Sequence, residues 1–99
     1  YKSIPKIIVT ENGAAFEDKL QNETIDDIKR REYICKNLYQ LLKAKNEGVK
    51  VDGYFVWTLL DNFEWAEGFH PRFGLVYVDF DTQERTIKQS GLWFQQFLK

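Results

Sequence analysis

Two short runs of β-branched and apolar residues, Ile4 to Thr10 and Val51 to Leu60, flank one long amphipathic segment. Runs this short and this apolar fit strands covered on both faces. Pro5 stands near the start of the first run, where a missing N–H does least harm. Asn12-Gly13 ends it. Between the runs, the pattern predicts a helix over Ile25 to Asn46. Ile28, Cys35, Leu38 and Leu42 recur at helical spacing, and Ile34 and Leu41 widen the stripe. Thr24 reads as the N-cap, with Asp26 and Asp27 in the first turn. Lys43 and Lys45 fall in the last turn, and Gly48 terminates it.

Further on, Leu75 to Phe80 alternates like a strand, and Asp81-Thr82-Gln83 turns it back into a hairpin with Glu84 to Thr86. Ser90 is a candidate N-cap for a closing helix over Gly91 to Leu98, with Trp93, Phe94 and Phe97 on its aromatic face. Strand, helix, strand, hairpin, helix is the α/β pattern of a parallel sheet or barrel. The link from the long helix to the second strand is short. Both links that follow strands are long, about a dozen residues, which marks functional loops. In a (β/α)8 TIM barrel the active site is built from the loops after the strands. Two parallel strands and two helices cannot close such a barrel. Residues 1–99 are therefore expected to be one segment of a single barrel domain, a piece of a longer chain.

Charge excludes some functions. Fourteen Lys and Arg face fifteen Asp and Glu, so there is no basic stripe for nucleic acid and no acidic tail. No apolar run is long enough to span a membrane. No signal peptide is expected at the start. The single cysteine, Cys35, excludes a disulfide framework and fits a reducing, cytoplasmic compartment. It reads as a buried small hydrophobe on the helix stripe. His70 is the single histidine, so no His-rich metal site can form; it is read as a loop residue. The Lys29-Arg30-Arg31 run reads as a solvated helix face, with Arg30 pairing locally to Asp26 or Asp27. No metal and no cofactor is expected.

Glu11 ends the first apolar run, where a carboxylate is costly unless paired, hydrogen-bonded or wet. Position alone leaves a solvent-facing strand end and a catalytic group equally open. The second run leads into Trp57 and then Asp61-Asn62-Phe63-Glu64-Trp65, followed by Phe69 and Phe73. Carboxylates and amides beside indole rings suit a sugar: they grip hydroxyls while rings stack on the C–H faces. On its own, this stretch reads rather as an aromatic loop packed on a barrel end than as a sugar site.

Taken together, the segments resemble one family. Ile8-Val9-Thr10-Glu11-Asn12-Gly13 is similar to the nucleophile signature of family 1 glycoside hydrolases, and Trp57 to Trp65 to its sugar-binding signature. Arg72 to Phe80 resembles the stretch that follows, with smaller matches at Asp27, Arg30, Tyr33, Lys88, Ser90 and Trp93. The matches are collinear and cover essentially the whole chain.

The resemblance implies the C-terminal quarter of a (β/α)8 barrel. It also implies a retaining β-glucosidase acting on terminal β-D-glucosyl residues through a covalent glycosyl-enzyme. Glu11 would be the nucleophile. Trp57, Glu64, Trp65 and Phe73 would bind the glycone, and the Trp57–Thr58 peptide would be cis. The family's acid/base glutamate sits in an Asn-Glu-Pro segment that this sequence lacks, so the partner expected is the N-terminal remainder of the barrel. Family members acting on 6-phosphorylated sugars replace the Glu-Trp pair. Its presence here points to an unphosphorylated β-glucoside, because a carboxylate repels phosphate. The alternatives are a sugar-binding pseudoenzyme and a structural piece of such a barrel.

Overall fold

The structure, a computed structural model, describes residues 3–62 and 71–99. Strand β1 (Ile7–Asn12) leads through a long loop to helix α1 (Ile28–Asn46) and then to strand β2 (Val51–Val56). Strands β3 (Val76–Val78) and β4 (Arg85–Ile87) form a hairpin, and helix α2 (Gln89–Phe97) closes the chain. β1 and β2 pair in parallel, the order expected of one β-α-β unit. β3 and β4 pair antiparallel. A single parallel bridge, Leu60 to Val76, joins the end of the first sheet to the second.

Ile34, Leu38 and Leu75 form the core, with Tyr54, Val56, Trp93 and Phe94 packed on it. α1 and α2 therefore cover one face of the β1–β2 sheet. Other apolar groups stay uncovered: Ile7, Ile8 and Phe55 are exposed. The two-sided cover expected of both strands is thus met on one side by these residues. Trp93, Phe94 and Phe97 do form a ring cluster, with Trp93 and Phe97 centroids 5.5 Å apart.

α1 departs from its expected boundaries and face. It begins at Ile28, with Asp27 as N-cap, and not at Ile25 behind Thr24. Thr24 instead closes a tight turn with Gln21. Arg30, Ile34 and Leu38 make the buried stripe, while Ile28, Cys35 and Leu42 are exposed. The stripe is rotated because Arg30 is drawn inward by Asp18 and the Arg72 carbonyl, which come from other segments. Its guanidinium is 1% exposed and is no part of a solvated face, although the expected pairing with Asp27 does form. Gly48 follows the helix at φ 104°, a conformation suited to glycine. α2 starts at Gln89 with Lys88 as N-cap, so Ser90 lies inside its first turn.

Candidate active site

β1 delivers Glu11 at its C-terminal end, exposed, beside the end of β2. The pairing there is irregular. Val9 stands opposite Tyr54 and Asn12 opposite Val56, so Thr10 and Glu11 together face the single residue Phe55. Such a bulge bends a strand and re-aims its side chains, and it is a common device next to active sites. Immediately beyond, the Trp57 N–H donates to the Asn12 carbonyl at 2.9 Å, which sets the two strand ends side by side.

Gly13 completes this close approach. A Cβ built there would lie 1.8 Å from the Trp57 carbonyl oxygen. Gly13→Ala must therefore push Trp57 away or shift the strand end. The expected cost is roughly 1–3 kcal/mol of stability, read by denaturant unfolding.

The Trp57–Thr58 peptide is cis, as the signature implied. Thr58 then pairs with the later segment: its N–H donates to the Phe73 carbonyl at 3.3 Å, and its own carbonyl accepts from Leu75 N–H at 3.0 Å. Glu11, Trp57 and Phe73 are thus brought to one end of the sheet by backbone bonds. Glu64 and Trp65 lie outside the described residues, as do Phe63, Phe69 and His70.

Asn12 is held on its other side. The Tyr54 hydroxyl donates to Asn12 Oδ1 at 2.6 Å, and Asn12 Nδ2 lies 3.5 Å from the Tyr33 hydroxyl. Burial pushes the Tyr54 phenol up from 10.0 to about 12, and the neighbouring Tyr33 phenol adds to the rise. An acid raised on folding stabilises the fold in its protonated form. That stability is fully present below pH 10.0 and is lost as pH climbs toward about 12. In an alkaline ultraviolet titration, the Tyr54→Phe variant should lack the most alkaline tyrosine step. Persistence of that step would assign it to another tyrosine.

Beneath the site lies a buried cluster that sequence reading missed. Among the described residues, Asp18, Asp27 and Asp61 meet Arg30, Arg72 and Lys88, three charges of each sign. Lys88 Nζ contacts Asp18 Oδ2 at 2.5 Å and Asp61 Oδ1 at 2.7 Å. Arg30 contacts Asp18 at 2.8 Å and Asp27 at 2.6 Å, and donates to the Arg72 carbonyl at 2.6 Å. Arg72 reaches Asp61 Oδ2 at 2.8 Å and the Val78 carbonyl at 2.7 Å, with its guanidinium over the Tyr77 and Phe80 rings. Asp27 also accepts from the Ser90 N–H and hydroxyl, which is why it does not cap its own helix with its side chain. Balanced charges that bond one another are tolerable inside a protein, whereas unpaired ones are not; among the described residues only Arg30 Nε in this cluster is buried without a partner. The only local signal for the cluster was the i, i+3 spacing of Asp27 and Arg30.

The comparisons with known proteins agree with this geometry. Glycosyl hydrolase family 1 matches residues 1–99. Beta-glucosidase A of Thermotoga maritima is 50% identical over 96 residues, 96% of this chain and 22% of that protein. A 6-phospho-beta-galactosidase of Clostridium acetobutylicum is 51% identical over 96 residues, 97% of this chain and 20% of that protein. The solved structure of the family 1 β-glucosidase from Thermotoga maritima superposes with a TM-score of 0.92 at 49% identity, over 95% of this chain and 21% of that one. The chain thus spans about a fifth of the length of the curated relatives it matches. A full-length family match, joined to a carboxylate and a tryptophan at neighbouring parallel strand ends, shows that the chain belongs to glycosyl hydrolase family 1.

Proposed function

We propose that residues 1–99 form the C-terminal segment of a (β/α)8 barrel that acts as a retaining β-glucosidase, with Glu11 as its nucleophile. The observation that carries this reading is the strand-end pair. Glu11 is exposed at the C-terminal end of β1, and its neighbour Asn12 is bonded to Trp57 at the end of the parallel strand β2. Trp57 and Phe73 line the glycone, and Glu64 and Trp65 hydrogen-bond its hydroxyls. The rest of the barrel covers the bare sheet face and supplies the proton donor.

The chemistry is double displacement. The Glu11 carboxylate attacks the anomeric carbon while the bond to the leaving oxygen breaks, and that oxygen takes a proton from a carboxylic acid. Water, deprotonated by the same group, then attacks the anomeric carbon and releases Glu11 with overall retention. The two carboxyl groups should stand about 5–5.5 Å apart.

The test uses the full-length enzyme, a 2-deoxy-2-fluoro β-glucoside and peptide mass mapping. The covalent sugar is expected on the peptide carrying Glu11; a label on any other peptide overturns the assignment. A second reading, hydrolysis of 6-phospho-β-galactosides, is favoured by the relative of that name at 51% identity. Glu64 argues against it, since a carboxylate beside the phosphate raises the cost of binding. Comparing kcat/KM for p-nitrophenyl β-glucoside and for the 6-phosphorylated galactoside decides between them.

A further inference from the structure

Lys88 is fully buried at the start of α2, and its ammonium binds two carboxylates. Its two carboxylate partners come from the two loops that build the site. Asp18 belongs to the loop that leaves β1 just after Glu11, and Asp61 to the loop that leaves β2 just after Trp57. The contacts are 2.5 and 2.7 Å, and both carboxylates are themselves almost fully buried. Asp61 in turn holds the segment carrying Phe73. Its Oδ1 accepts from Gly74 N–H at 2.9 Å, and its Oδ2 accepts from Val78 N–H at 3.3 Å. The Lys88 backbone N–H donates to the Leu75 carbonyl, so both ends of the residue fasten the same segment. The first loop meets that segment directly through the paired backbones of Phe16 and Arg72.

From this arrangement we infer that Lys88 is a positioning residue for catalysis, acting through Asp18 and Asp61 to hold the nucleophile loop and the sugar-binding loop in register. This rests on the reading of Glu11 and Trp57 given above. Among the three cations of the cluster, Lys88 is the one that binds both carboxylates at once. Arg30 also holds Asp18 and Arg72 also holds Asp61, but a shift of one loop against the other would break a Lys88 contact in a place where both carboxylates are almost fully buried. Because a displacement of about 1 Å at a reacting centre can cost roughly 100-fold in rate, the register of the two loops is a catalytic quantity.

The experiment compares wild type, Lys88→Met, Lys88→Arg and Asp18→Asn in the full-length enzyme. Each is assayed well below its own unfolding temperature. Competent sites are counted by the burst of leaving group from a 2-deoxy-2-fluoro β-glucoside, so that unfolded protein drops out of the comparison. Per competent site, Lys88→Met is expected to lose roughly 10- to 100-fold in kcat/KM for p-nitrophenyl β-glucoside. Lys88→Arg, which keeps a cation, should recover most of it.

A merely structural role would lower the unfolding temperature and leave the per-site value within about threefold of wild type; that result overturns the inference. If Lys88→Met does not fold, Asp18→Asn, which removes one of the two tethers and leaves the ammonium paired with Asp61, is judged by the same threshold. Mapping of the trapped sugar in wild type is read separately. A label away from Glu11 would sink the functional reading, whereas normal labelling with unchanged variant kinetics would sink the role of Lys88.

Discussion

Glu11→Gln in the full-length enzyme is expected to lower kcat for an aryl β-glucoside by roughly four orders of magnitude or more, with the protein still folded and still binding sugar. The carboxamide keeps the size of the side chain but has no negative charge to attack the anomeric carbon, so the covalent route closes. Stability should hardly change, because Glu11 is exposed and lies apart from the buried cluster. Glu11→Gly makes the stronger test. It opens a space where the carboxylate stood, and a small anion such as azide can enter from the same side of the sugar. Attack from that side, with no second displacement, yields the α-glucosyl azide. Recovery of turnover by azide with an inverted product identifies Glu11 as the attacking group. Turnover unaffected by the substitution would remove Glu11 from the mechanism.

The second large effect is on stability. Asp61→Ala should cost about 3–5 kcal/mol, the usual penalty for removing one partner of a buried charge pair. The carboxylate accepts from Lys88, Arg72, Gly74 N–H and Val78 N–H, and its side chain is fully buried. Its removal strands an ammonium that retains Asp18 alone and leaves two backbone donors unbonded. Asp61→Asn keeps the shape and one accepting oxygen, so it should fall between wild type and alanine. Urea unfolding of the full-length enzyme, followed by tryptophan fluorescence, measures both. An alanine variant within about 1 kcal/mol of wild type would mean that water or side-chain rearrangement takes over the bonds.

What the sequence revealed, and what it hid, follows from the range of the forces. β1, β2 and the hairpin are legible because β-branched runs and turn residues act within a few positions. The placement of Glu11 and Trp57 at neighbouring strand ends is legible because each closes a short apolar run. The start of α1 was placed three residues early because Asp27 is diverted to Ser90, a partner 63 residues away. Cys35 fits a helical stripe on paper, yet the buried side of α1 is set by Arg30, which follows Asp18. Lys88 and Asp18 are 70 residues apart, and no periodicity connects them. Charged residues in a polar loop and before a helix look like solvated surface until tertiary structure buries them.

The uneven ladder between β1 and β2 also limits how this part of the chain can vary in length. Losing one residue between Val9 and Asn12 would even out the pairing and leave Asn12 opposite Val56, but the bulge would go, and Glu11 would take a regular pleat position opposite Phe55 and point elsewhere. Substitutions of similar shape can be accepted at Thr10, whereas a deletion there would re-aim the Glu11 carboxylate in one step.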